Sequence, residues 1–164
     1  MKGWGTLIAL CFAVLCFAPL PALAAQEIKP FVRGSYQHIV AARQGRPFVV
    51  SFWSLTCSYC IAEMNLLKKL LKKHPELDLV LISTDTPEEQ NSVRAVLADF
   101  SLDKSDAWVF ADSYTERLRY EVDKTWQGEL PRTYLFGAKN AVIAISGKLE
   151  DKEMERWVKA QYAP

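Results

Sequence analysis

Pro47-Phe48-Val49-Val50-Ser51-Phe52-Trp53-Ser54-Leu55-Thr56-Cys57-Ser58-Tyr59-Cys60 runs from an apolar stretch through a short turn into two cysteines three residues apart. The apolar run has the composition and length of a buried strand. The residues that follow carry Met64, Leu67, Leu70 and Leu71 on one helical face, with Leu66 at its edge, and Lys68, Lys69, Lys72 and Lys73 on the other. A strand ending at Trp53 and a helix from about Tyr59 put Cys57 at a helix N-terminus, where unpaired amide N–H groups and the macrodipole favour a thiolate. Such a setting brings a cysteine from ~8.5 into the range ~3.5 to 7.5. Cys57 is then the attacking sulfur and Cys60, one turn inside the helix, the resolving one. A purely structural bridge is the weaker reading, because closing a four-residue loop stabilises by only ~2 kcal/mol against ~3 for a fifteen-residue loop.

A metal site is limited by counting. The other two cysteines, Cys11 and Cys16, lie in an N-terminal segment with the form of an export signal, so four cysteines of one mature chain cannot meet. His38 and His74 sit in separate amphipathic segments without the short spacing of zinc motifs, and both read as surface histidines. No metal and no cofactor is expected.

Residues 1–24 show Lys2, an apolar core from Leu7 to Phe17, Pro19, Pro21 and an Ala22-Leu23-Ala24 cleavage motif, which reads as a secretory signal. An uncleaved anchor competes, since Trp4 to Ala25 is about as long as the ~20 residues that cross a bilayer. Neither Cys11 nor Cys16 follows the small residue that lipoprotein processing requires. The chain has 20 basic and 19 acidic residues, and Lys2 leaves with the signal, so the mature balance is neutral. That argues against a nucleic-acid partner. Residues 25–164 make one domain, expected to be a monomer, and an exported chain with a single close cysteine pair is not a disulfide framework.

Outward from the dithiol, Gln26 to Arg33 reads as a polar lead-in, and Ser35 caps a short helix in which Tyr36, Ile39 and Val40 share a face. Leu77 to Ser83 is a second buried strand. Thr86-Pro87-Glu88-Glu89 is a capping box with proline at the first helical position, opening a helix with Val93, Val96, Leu97 and Phe100 on one face. Ala107 to Ala111 is a short extended segment, and Asp112 or Ser113 starts a helix with Leu118 and Val122. Pro131 to Phe136, a Gly137-Ala138-Lys139-Asn140 turn and Ala141 to Ser146 form a hairpin, and a last helix begins near Asp151 with Met154, Trp157 and Val158 at helical spacing. This order predicts an α/β fold with a central mixed sheet flanked by helices, plus an N-terminal extension.

At Ser51-Phe52-Trp53 through Cys60, and again at Leu130-Pro131-Arg132-Thr133-Tyr134-Leu135-Phe136, the chain resembles the thioredoxin superfamily, within it the exported TlpA/ResA/CcmG-like thiol-disulfide oxidoreductases. The resemblance covers roughly residues 30 to 162. It implies that Pro131 is cis and faces the dithiol, that the Leu130 backbone pairs with a substrate strand, and that Trp53, Ser58 and Tyr59 belong to the substrate-binding surface. A plain strand-opening proline is the alternative for Pro131. The resemblance also implies a proton-handling role for Glu63, one helical turn beyond Cys60, where the bland reading is an acid favoured near a helix N-terminus. Trp126 lines a substrate groove or packs on the domain edge.

Three departures stand out. Met64-Asn65 stands where the family often has residue-then-proline after the glutamate, Ser51 stands where cytoplasmic thioredoxins bury an aspartate, and Ser58-Tyr59 lacks the proline common in reductases, its tyrosine being similar to the dipeptide of bacterial disulfide isomerases. The resemblance favours a periplasmic reductase, anchored to the inner membrane if the leader is retained. Its partners would be oxidised client proteins, for example in cytochrome c maturation, and a membrane thiol-disulfide electron donor. The alternatives are a disulfide oxidase or isomerase, a copper-handling thiol module using the two cysteines as soft ligands, and a folding module with a vestigial dithiol.

Acidity alone does not set direction. Lowering a thiol from ~8.5 to ~6.5 raises its thiolate fraction at neutral pH about 25-fold, while a Brønsted slope near 0.4 to 0.5 removes about 6- to 10-fold of intrinsic reactivity.

Overall fold

A computed structural model describes residues 25–138 and 141–162. The proposed signal, with Cys11 and Cys16, lies outside the described residues, as does Lys139-Asn140 in the hairpin turn. The sheet has six strands: β1 (Ile28–Phe31), β2 (Phe48–Trp53), β3 (Leu79–Ser83), β4 (Asp106–Phe110), β5 (Arg132–Phe136) and β6 (Val142–Ser146). Their spatial order is β1-β4-β3-β2-β5-β6. The first four are mutually parallel where they pair, and β5 and β6 run antiparallel, so the sheet is mixed as expected. Helices α1 (Ser35–Ala42), α2 (Ser58–Lys73), α3 (Gln90–Asp99), α4 (Thr115–Val122) and α5 (Asp151–Tyr162) complete the chain. Among the described residues no helix is long and apolar enough to cross a membrane.

Period-two alternation divides the sheet into two faces. Phe48, Val50 and Phe52 of β2 join Phe31, Ile39, Phe110, Leu118, Tyr134 and Phe136 in one core, where Phe48 and Phe136 stack with ring centroids 4.1 Å apart. Val49 and Trp53 turn the other way, into a core with Met64, Leu67 and Leu70 of α2, Val93 and Leu97 of α3, and Met154 and Val158 of α5. Every residue of β2 is buried. This is why it reads as a continuous apolar run rather than an alternating one.

Three expectations are corrected. Ser35 is the first residue of α1 and not its cap; Gly34 is the N-cap, at φ 83°, and Ser35 Oγ accepts the Val32 N–H at 3.0 Å. The lead-in from Gln26 to Arg33 contains β1, an edge strand parallel to β4 in which Ile28 and Phe31 are buried. Lys29 and Pro30 interrupt its apolar pattern, and an edge position is one that tolerates a proline. Helix α4 begins at Thr115 rather than at Asp112 or Ser113, because the Asp112 carboxylate accepts the Tyr114 N–H at 2.8 Å and forms a turn of its own. The capping box at Thr86 is present, on a single 3₁₀ turn of residues 87–89 that leads into α3.

Candidate functional site

Strand β2 ends at Trp53, and the next four residues turn the chain into α2. Cys57 is the N-cap of that helix, with extended backbone at φ −94° and ψ 100°, and its Sγ accepts the Cys60 N–H at 3.1 Å. A sulfur thus fills the place that Ser, Thr or Asp oxygens usually take, satisfying one of the orphan donors of the first turn. The sulfurs of Cys57 and Cys60 are joined, with Cα atoms 5.2 Å apart. Cys57 is partly exposed, whereas Cys60 is 1 % exposed and packs among Met64 and Trp53. Lys72 and Lys73 lie in the last turn, where the dipole favours cations.

Pro131 follows a cis Leu130-Pro131 bond, is buried, and immediately precedes β5. The antiparallel register pairs Phe52 with Arg132, which sets Pro131 across from Trp53 at the end of β2 where the dithiol turn begins. Leu130 packs on the same core as both cysteines. Ser58 and Tyr59 are exposed between the two sulfurs, Tyr59 at 70 %. Trp53, expected at the substrate surface, is only 1 % exposed; β2 alternation turns it inward under α2, so it supports the site from below.

Glu63 is 1 % exposed, one turn beyond Cys60. The register that pairs Ser51 with Thr133 makes a two-hydroxyl floor beneath it. Glu63 Oε1 accepts from Ser51 Oγ at 3.2 Å and from Thr133 Oγ1 at 3.4 Å, and Oε2 accepts the Leu149 N–H at 3.0 Å. Burial raises the carboxyl above the ordinary glutamate range, while the bonds from Leu149, Ser51 and Thr133 and the charge of Lys148 pull it back. Burial wins, so the proton is held more tightly than on an exposed glutamate. Position 51 therefore carries no acid of its own, but α2 delivers a carboxyl to the same spot.

The Gly147 N–H donates to the Pro131 carbonyl at 2.8 Å. The turn after β6 therefore joins the proline at one end and the buried carboxyl, through Leu149, at the other. Neither link was visible in the sequence, because both depend on where β6 ends relative to β5.

The loop before Pro131 is anchored on the opposite face of the sheet. The largely buried Arg132 donates from Nη2 to Asp123 at 2.6 Å and from Nε to the Tyr134 hydroxyl at 3.0 Å, and it also bonds Ser146. The Thr125 hydroxyl and N–H, with Arg132 behind them, hold Asp123 down to about 2. Trp126 is buried against Phe52, with ring centroids 4.7 Å apart, and donates its indole N–H to the Glu129 carbonyl at 2.9 Å. It is a packing residue of the domain, and the groove-lining alternative is set aside. Arg132 was legible only as part of a strand; its neutralisation by Asp123, nine residues earlier, needs the folded loop.

His38 is exposed, and His74 is partly buried beside Glu76 and Glu155. Among the described residues no group of three or more His, Cys, Asp or Glu side chains stands together as a metal site. A cleft of about 590 Å³ lined by Tyr36, Val40, Phe48, Phe136 and Val142 lies at the start of β2, the end away from the dithiol, and includes neither sulfur.

No family model matches this sequence, and no curated protein matches it either. Solved structures do match. A secreted disulfide oxidoreductase of Mycobacterium tuberculosis, described as homologous to E. coli DsbE, aligns at 21 % identity and a TM-score of 0.58, covering 73 % of this chain and 85 % of that one. StoA from Bacillus subtilis aligns at 18 % identity and a TM-score of 0.52 over 70 % and 84 % of the two chains. A thioredoxin-family thiol:disulfide interchange protein of Chlorobium tepidum aligns at 16 % identity and a TM-score of 0.58 over 74 % and 83 %. The mixed six-stranded sheet flanked by helices is the thioredoxin-like fold of these structures.

Proposed function

We propose that this chain is an exported thiol-disulfide oxidoreductase that works chiefly as a reductase of disulfides in other exported proteins. The observation that carries the reading is the asymmetry of the two sulfurs: Cys57 is partly exposed and caps α2, while Cys60 is buried behind it.

In the reduced protein the Cys57 thiolate attacks one sulfur of a client disulfide. The client S–S bond breaks, a Cys57–client bond forms, and the second client sulfur leaves as a thiolate. Cys60 then gives its proton to the Glu63 carboxylate and attacks Cys57, breaking the mixed disulfide and closing the Cys57–Cys60 bond. Two electrons have passed to the client, whose thiolates take up protons, one of them returned by Glu63. A dithiol donor, supplied by a membrane electron-transfer protein in this reading, re-reduces the pair by the same exchange in reverse.

The placement of Pro131 and Leu130 beside the dithiol turn supports a role in receiving the client as an extended strand, with Ser58 and Tyr59 at its surface. Apocytochrome cysteines are one client class of the right chemistry, and the periplasm, with or without a retained leader as anchor, is the compartment proposed. The raised carboxyl of Glu63 makes it a stronger proton acceptor than an exposed glutamate, closer to the thiol it serves.

Equilibration of the full chain with glutathione buffers, followed by thiol trapping, tests direction. A potential well below the ~−180 mV of an isomerase is the expected result, and one near the ~−120 mV of a strong oxidant overturns the reductase.

A further inference from the structure

We propose that Asp85 is a positioning residue that sets the redox balance of the dithiol, holding the nucleophile turn in place with a carboxylate whose fixed negative charge opposes the Cys57 thiolate. The inference rests on the thiol-disulfide reading of the same site and adds a residue to it.

Asp85 lies in the loop after β3 and is 8 % exposed. Its Oδ1 accepts from Ser54 Oγ at 2.8 Å, and its Oδ2 accepts from the Leu55 N–H at 2.9 Å and from Ser83 Oγ at 2.5 Å. Each hydroxyl also accepts an amide N–H, Ser54 from Thr56 at 3.2 Å and Ser83 from Asp85 itself at 3.0 Å. Ser54 Oγ also shares a hydrogen bond with Thr56 Oγ1 at 3.1 Å. The Asp85 side chain accepts three hydrogen bonds and donates none, an acceptor-only role that suits a carboxylate. Its partners are neutral, and among the described residues no cation pairs with it.

The three residues it grips, directly or through Ser54, are those between β2 and Cys57. Ser54 in turn receives the Cys57 N–H on its carbonyl at 3.2 Å, and the Thr84 N–H donates to the Trp53 carbonyl at 2.9 Å. The turn that presents the nucleophile is thus built around a buried negative charge. A neutral Asn or Ser would serve as a hydrogen-bonding brace; a charge does something more. The helix N-terminus favours a thiolate at Cys57, and a like charge held on Ser54 and Leu55, three and two residues before it, disfavours it. Glu63, one helical turn beyond Cys60, is held instead by Leu149, Ser51 and Thr133, with Lys148 as the charge that acts on it. Opposing the thiolate destabilises the reduced, ionised form, so the pair gives up its electrons more readily and a reductase is favoured over an oxidant. In this chain position 51 of β2 carries no acid, and Asp85 places one on the turn between β2 and Cys57 from the neighbouring loop.

The test replaces Asp85 by Asn in the full chain and reads two quantities in the reduced protein: the thiolate absorbance of Cys57 against pH, and the equilibrium with glutathione. Removal of the charge is expected to lower the Cys57 pKa by about one unit, a tenfold gain in thiolate stability. At a pH above that pKa the glutathione equilibrium moves up to about tenfold toward the reduced pair, roughly 30 mV for a two-electron couple. A merely structural brace predicts the opposite sign, because a loosened turn loses the N-cap and raises the pKa. An unchanged or raised pKa in Asp85→Asn overturns the proposal. Asp85→Ser, smaller and equally neutral, gives the same reading if the Asn variant does not fold. Failure of the wild-type pair to exchange with glutathione at all defeats the oxidoreductase itself, whereas normal exchange with no shift in either variant defeats only the role of Asp85.

Discussion

Cys60→Ser protein, reduced and mixed with a disulfide client, accumulates a covalent complex through Cys57, whereas Cys57→Ser protein forms none. The expectation follows from position. Cys57 is reachable and caps α2, and Cys60 is 1 % exposed behind it, so a client sulfur meets only the first. With Cys60 gone, the mixed disulfide has no internal nucleophile to resolve it and persists until an external thiol arrives. Non-reducing electrophoresis and mass mapping of the trapped peptide read the result directly. Turnover in both variants falls by orders of magnitude, the largest effect any single change in this chain is expected to have. A vestigial dithiol predicts no loss of activity in Cys57→Ser, and that outcome would remove the catalytic reading.

Glu63→Gln is expected to make the protein slower and, at neutral pH, more stable. General acid-base assistance contributes typically ~10²- to 10⁴-fold, so loss of the proton acceptor should slow resolution by about 100-fold, seen as a longer-lived mixed disulfide in stopped reactions. The fold is expected to survive the change. A glutamine carbonyl still accepts the Leu149 N–H, and its NH₂ donates to the Ser51 and Thr133 hydroxyls, which both accept as well as donate.

Stability moves the other way because burial raises the carboxyl in the folded state. A group raised on folding contributes stability that is fully present below its unfolded pKa, about 4.3 for glutamate, and lost as pH rises through its folded value. The difference in melting temperature between Glu63→Gln and wild type should therefore grow in favour of the variant as pH rises above that point, since the other carboxyl groups are common to both. A difference that does not change with pH across this window, or a glutamine variant with wild-type resolution kinetics, would remove Glu63 from the mechanism.

What the sequence made legible was what short-range pattern encodes. The β2 run, the amphipathic face of α2 and the Cys57-to-Cys60 spacing are local, and their combination located the dithiol and predicted the α/β order. Pro131 could be singled out only through resemblance, since a proline before a strand says nothing of what it faces. Strand β1 escaped because its two buried residues, Ile28 and Phe31, are separated by Lys29 and Pro30, and its pairing is with β4, far along the chain. The floor under Glu63 escaped for a related reason: Ser51 and Thr133 are unremarkable hydroxyls until the β2–β5 register sets them opposite each other. Trp53, placed at the substrate surface through resemblance, is buried. It adjoins the turn in sequence, yet strand alternation points it into the core. Asp85 sat within Ser83-Thr84-Asp85-Thr86, where the capping box to its right absorbed the available signal, and its two partners in the dithiol turn, Ser54 and Leu55, lie some thirty residues earlier in the chain.

The central claim is that Cys57 is ionised by its place at the mouth of α2 and shields Cys60. It is tested most directly by the pH dependence of alkylation of the fully reduced chain, mapped by residue. Cys57 is expected to be modified first, with a midpoint within ~3.5 to 7.5, while Cys60 remains protected. Modification of Cys60 first, or a Cys57 midpoint at the ordinary ~8.5, would contradict it.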